Sequence, residues 1–140
     1  MKNVITRGAM LVAVGALLAA VPALAHHSVS AEFDTSKPIE FTGTVKKVEW
    51  TNPHIYTDVE AKSPEGKVVV YRVEGGAPNA LYRSGWRKDT LKVGEAVSVK
   101  GIRAKREDST NIGNATITTA DGKRMFAGGT AQREAAQQQQ

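Results

Sequence analysis

The chain has 140 residues, 41% apolar and 24% charged, with a formal net charge of +5 and no cysteine. This balance excludes a disordered or collagen-like chain and leaves room for one globular domain. The lack of cysteine excludes a disulfide framework, a thiol nucleophile and a lipid-modified cysteine.

The first 25 residues stand apart from that domain. Lys2 and Arg7 make a positive start, residues 9–20 are apolar, Pro22 interrupts them, and Ala23-Leu24-Ala25 has the small-residue spacing of a signal-peptidase site. Residues 1–25 are therefore expected to be a cleaved secretory signal, with a mature chain beginning at His26 and the periplasm as its address. The apolar run carries a proline and falls short of the ~20 residues a bilayer-spanning helix needs, so no membrane span is expected after cleavage. Loss of Lys2 and Arg7 lowers the formal charge from +5 to +3. The remaining basic residues, among them Lys46, Lys47, Arg83, Arg87 and Lys88, are interleaved with Glu49, Asp58, Glu60, Glu74 and Asp89. Nucleic-acid binding normally shows a clustered basic face, so nucleic acid is not an expected partner. A monomer is expected.

Residues 26–37 read as an extended arm pinned by Phe33. From Pro38 the pattern alternates: Ile39, Phe41, Gly43 and Val45 on one face, Glu40, Thr42, Thr44 and Lys46 on the other, as a half-buried strand requires. Val48 and Trp50 continue the apolar set on the opposite parity. A bulge near Lys46-Lys47 would keep both sets inward. Asn52-Pro53 is turn chemistry, with His54 opening a second strand in which Ile55, Thr57, Val59 and Ala61 face inward. Ser63-Pro64-Glu65-Gly66 closes a hairpin onto a third strand, residues 68–73, with Val69, Tyr71 and Val73 on its apolar face. Pro78 and Gly85 bracket a short helix. Val97, Val99 and Ile102 mark a fourth strand with a bulge expected at Gly101, and residues 112–119 a fifth. Asp121-Gly122 is a hairpin turn leading to a short sixth strand, with Met125 or Phe126 inward.

Three strands, one small helix and two or three more strands predict an all-β domain over residues 38–127. Its expected form is a small antiparallel OB-like barrel of five or six strands with the helix between strands three and four. Another small β-barrel or a half-open sandwich is the alternative. After Gly128 the apolar content collapses into a glutamine run, so residues 128–140 are expected to be a disordered tail.

His26-His27-Ser28, Ala31-Glu32-Phe33-Asp34, Gly43-Thr44-Val45, Glu49-Trp50-Thr51-Asn52-Pro53-His54, Pro78-Asn79-Ala80-Leu81 and Gly85-Trp86 together resemble an exported proteobacterial family of unknown function. The resemblance runs through nearly all of the mature chain and implies a small periplasmic β-barrel but no activity. The layout is also similar to that of periplasmic bacterial OB-fold proteins, which implies small-ligand binding.

Two sets of residues carry the site expectations. The chain's three histidines are His26, His27 and His54. An exposed N-terminal histidine chelates through its amine and its own ring, and imidazole suits copper and zinc. His26 would chelate, His54 or His27 would complete the set, and Glu32 and Asp34 are candidate carboxylates. A flexible solvated arm and a strand-end histidine bonded to backbone are the plain alternatives. The second set is Trp86 with Arg83 and Arg87, an aromatic flanked by cations, against the alternative of a tryptophan plugging the barrel end. No Gly-x-Ser-x-Gly elbow and no glycine-rich phosphate loop is present, and Ser28 in an extended arm lacks the fixed geometry of a triad. The sequence therefore predicts a non-enzymatic periplasmic binding protein of unknown ligand, with copper or zinc as its concrete cofactor. A metal-free adaptor for a small solute or another envelope protein is the alternative.

Overall fold

The computed structural model describes residues 31–126. Six strands and one helix follow one another as β1 (Phe33–Glu49), β2 (Tyr56–Lys62), β3 (Val68–Glu74), α1 (Pro78–Arg83), β4 (Ala96–Ala104), β5 (Asn111–Thr119) and β6 (Arg124–Phe126). The sheet order is β3-β2-β1-β4-β5-β6, and a further pairing joins β3 to β5. That pairing is parallel and short, Arg72 to Asn111 and Val73 to Ile112, while every other pairing is antiparallel. It closes β1, β2, β3, β5 and β4 into a barrel-like ring, with α1 between β3 and β4 as the OB-like layout expects.

Alternation decides which side chains fill the ring. Val45, Ile55, Val59, Tyr71, Val73, Leu81, Trp86, Val97, Val99, Ile112, Ala115, Ile117 and Met125 form one buried cluster, with Ile39, Phe41, Val48 and Trp50 partly buried against it. The aromatic rings of Phe41 and Tyr71 lie 4.5 Å apart within it. The inward sets of β1, β2 and β3 are those that the alternation predicts.

β1 is longer than the expected strand and reaches back to Phe33. Phe33 pairs with Ala104 and packs with Ile102 and Ala104 in a small second cluster. Its ring covers Gly113 so closely that a Cβ there would lie 2.6 Å from it. Between Phe33 and Pro38 the ladder is interrupted, and Asp34 folds the chain locally by accepting hydrogen bonds from the amide (3.0 Å) and hydroxyl (2.7 Å) of Ser36.

Farther along, Val45 faces Val59 while Lys47 faces Asp58, so Lys46 is the extra, bulged residue that switches the parity of β1. Gly43 precedes it, and a Cβ there would sit 2.7 Å from Val59 Cγ1 and against the Glu60 carbonyl. The second bulge differs from expectation. Ile102 faces Gly113 and Lys100 faces Thr116, so the extra residue lies on β5, where Asn114 has φ of 45°, and not at Gly101. Gly101 instead permits close approach, since a Cβ there would meet Ile112 Cγ2 at 2.6 Å.

The turns follow their chemistry. Gly66, Gly85 and Gly122 all have positive φ. Trp86 N–H bonds to the Leu81 carbonyl at 2.9 Å just after Gly85, which directs the Trp86 ring inward. The Asn52-Pro53 bond is cis. β2 begins at Tyr56, two residues after His54, and Ile55 is tied to the β3 exit through its N–H to the Gly76 carbonyl (3.2 Å) and its carbonyl to Gly75 N–H (2.6 Å). Residues 1–30 and 127–140, which include the expected signal, His26, His27 and the glutamine tail, lie outside the described residues.

Candidate functional site

The outward-facing side chains of β1, β2 and β3 converge on one polar patch. Strand register places Glu49 opposite Tyr56, Tyr56 opposite Glu74, and Asp58 opposite Arg72. Arg72 is the hub: its guanidinium bonds to Asp58 at 3.2 Å, pairs with Glu49, and lies 4.4 Å over the Tyr56 ring. Lys47 also pairs with Glu49. Those contacts, Lys47 first and Arg72 second, hold the Glu49 carboxyl below its ordinary value. Partial burial, followed by the Glu74 charge, pushes the Tyr56 phenol up.

His54 sits at the rim of this patch, where the turn after Trp50 delivers it to the start of β2. Its Nδ1 pairs with the Glu74 carboxylate, and its side chain is 43% exposed against 22% for Glu74. With Nδ1 engaged by a carboxylate, Nε2 is the ring nitrogen that can serve as a donor to a metal. A carboxylate held against one ring nitrogen orients metal-ligating histidines and raises their basicity.

The other residues of the first expected set fall differently. Glu32 accepts from Asn111 Nδ2 at 2.9 Å, and its carbonyl accepts from Lys105 N–H at 2.8 Å, which anchors the chain entering β1. Asp34 is engaged with Ser36, and that hydrogen bonding holds its carboxyl low. Neither carboxylate joins His54 in a metal-ligating group. Among the described residues no cluster of three or more histidine, aspartate or glutamate side chains is placed to hold a metal ion. A metal at His54 would therefore take further donors from elsewhere. The expected donors His26 and His27 lie outside the described residues.

In the second set, Trp86 is 5% exposed and belongs to the core cluster, the position of a plug at the ring's helix end. Arg87 donates to the carbonyls of Tyr82 (3.0 Å) and Trp86 (2.8 Å) and stands 5.1 Å over the Tyr82 ring. Arg83 is exposed on the last turn of α1. An open depression of about 310 Å³ does reach Trp86, but its other walls are Ser84, Gly85, Thr90, Lys123 and Arg124. Sequence reasoning missed Glu74, Arg72, Lys123 and Arg124 as site residues. The hairpin turn offers a signal for the first two, and none exists for the last two.

A family model described as a family of unknown function, DUF6152, matches residues 14–114. The chain belongs to that family. Membership in DUF6152 agrees with the resemblance to an uncharacterised family and assigns no activity. No curated protein and no solved structure matches the chain. Among the described residues of this DUF6152 chain, no helix is long and apolar enough to cross a membrane.

Proposed function

We propose that this chain is an exported, non-enzymatic periplasmic binding protein that takes copper or zinc through His54 and the mature N-terminal histidine. The observation that carries the reading is the His54–Glu74 pair. Glu74 engages Nδ1 at the rim of an exposed face, so Nε2 is the ring's available donor. His26 supplies the chelating amine and its own imidazole, and His27 is the alternative third donor. Copper(II) favours such nitrogen-rich sets.

The test is a Cu²⁺ titration against a competing chelator. Four proteins are compared: the chain beginning at His26, the same chain with one extra N-terminal residue, a His54→Ala variant and a Glu74→Gln variant. The reading expects tight binding by the first, and loss of about tenfold or more in the extended and His54→Ala forms, with a smaller loss for Glu74→Gln. Equal, weak binding by all four would contradict it.

A second reading, a metal-free adaptor for another envelope protein or a small solute, draws on the outer face of β3. Val68 and Val70 are large apolar residues exposed there at 66% and 43%. That reading expects no histidine-dependent metal binding and a loss of partner capture in a Val68→Asp/Val70→Asp variant.

A further inference from the structure

We infer that the depression between the end of α1 and the β5–β6 hairpin is a separate binding site for a small organic anion with a flat apolar body. It shares no residue with the His54 patch and does not depend on metal binding.

Its walls come from two distant parts of the chain. One is the exit from α1. Ser84 caps the helix through its N–H to the carbonyls of Ala80 and Leu81, Gly85 turns the chain with φ of 87°, and Trp86 drops into the core. Thr90 closes this wall by accepting the Arg87 N–H at 2.8 Å on Oγ1, which leaves its hydroxyl proton to donate. The other wall is the start of β6, where the Asp121-Gly122 turn brings Lys123 and Arg124 across from the indole. The depression's volume of about 310 Å³ is at the lower end of the range that small-molecule sites occupy.

The lining selects the ligand. It holds two cations, two hydroxyls and one indole, and no carboxylate. Asp121, two residues before Lys123, is held by the Thr119 hydroxyl, which lowers its pKa, and stands 3.9 Å from Lys123 Nζ with both side chains more than 60% exposed. Such a pair is weak and leaves Lys123 able to reorient toward a bound anion. Arg124 adds a second positive charge, the Thr90 hydroxyl adds a polar donor while that of Ser84 is given to the Ala80 carbonyl at 3.1 Å, and the exposed edge of the otherwise buried Trp86 indole adds an apolar contact. Arg87 shapes the wall through its bonds to the carbonyls of Tyr82 and Trp86 and does not itself line the space.

The probe is benzoate, with benzamide as its neutral isostere and sodium chloride as the ionic-strength control. The chain has two tryptophans, so a Trp50→Phe variant makes Trp86 the sole indole reporter. A saturable change in Trp86 emission is expected with benzoate and not with benzamide. Lys123→Gln and Arg124→Gln should each weaken it, by up to about fivefold for one exposed charge, and together should nearly abolish it. His54→Ala should leave it unchanged, which keeps this outcome separate from the fate of the metal reading. The indole N–H resonance of Trp86 in the unsubstituted protein gives the same readout should Trp50→Phe fold poorly. A response linear in concentration, one equal for benzoate and benzamide, or one that survives in the Lys123→Gln/Arg124→Gln protein would overturn the inference.

Discussion

At the scale of single residues, the outer face of β1–β3 derives its order from charge. Glu49 joins Lys47 to Arg72, and Arg72 joins Glu49 to Asp58. Because the folded Glu49 carboxyl lies below the ordinary glutamate value of 4.5, its pairing contributes stability above that pH. The contribution disappears as pH falls below 4.5 through the lowered folded value. A Glu49→Gln protein should therefore show a shallower fall of thermal midpoint with acidification than the parent, measured from pH 6 to pH 3; an unchanged acid limb would deny the pairing any energetic role. Gly43 tests packing in the same strand. Alanine there would press on Val59 and the Glu60 carbonyl, and the backbone cannot yield without disturbing the β1–β2 ladder. Gly43→Ala should cost about 1–3 kcal/mol in denaturant unfolding, as overpacking does.

At the scale of elements, β1 is the strand that makes the ring. It pairs with β4 through its first half and β2 through its second, and the Lys46 bulge lets both halves turn apolar side chains inward. That bulge was legible, because Val45 and Val48 break the two-residue period and only an extra residue restores it. The bulge opposite Gly101 was half legible: glycine marks a close approach, but which strand carries the extra residue depends on pairing across the sheet. The start of β1 at Phe33 was less legible still, since Thr35, Ser36 and Lys37 show no alternation and the strand is held by Phe33 resting on Gly113. Phe33→Ala should cost about 3–5 kcal/mol. Hydrogen exchange should locate the loss, with faster exchange around Phe33 and Ala104 and retained protection in the β2–β3 hairpin. Uniform loss of protection would mean that the two clusters unfold as one.

At the scale of the whole molecule, the antiparallel order followed from hairpin turns and short connections, while ring closure rests on a β3–β5 contact of two residue pairs that no local pattern announces. The candidate sites divide in the same way. Once Ser63–Gly66 sets Lys62 opposite Val68, the ladder carries Glu74 to Tyr56 and so to the rim where His54 stands. Lys123 and Arg124 line one depression with Trp86 only because β6 folds back along β5, which brings together residues more than thirty positions apart. We propose that His54, oriented by Glu74, is the donor that the fold holds for a metal. The most direct measurement is nitrogen NMR of the histidine rings in the chain beginning at His26, titrated with Zn²⁺. The account predicts that His54 Nε2 shifts on metal addition while Nδ1 keeps its proton toward Glu74. A His54 ring whose two nitrogens stay unmoved at saturating Zn²⁺ would contradict it.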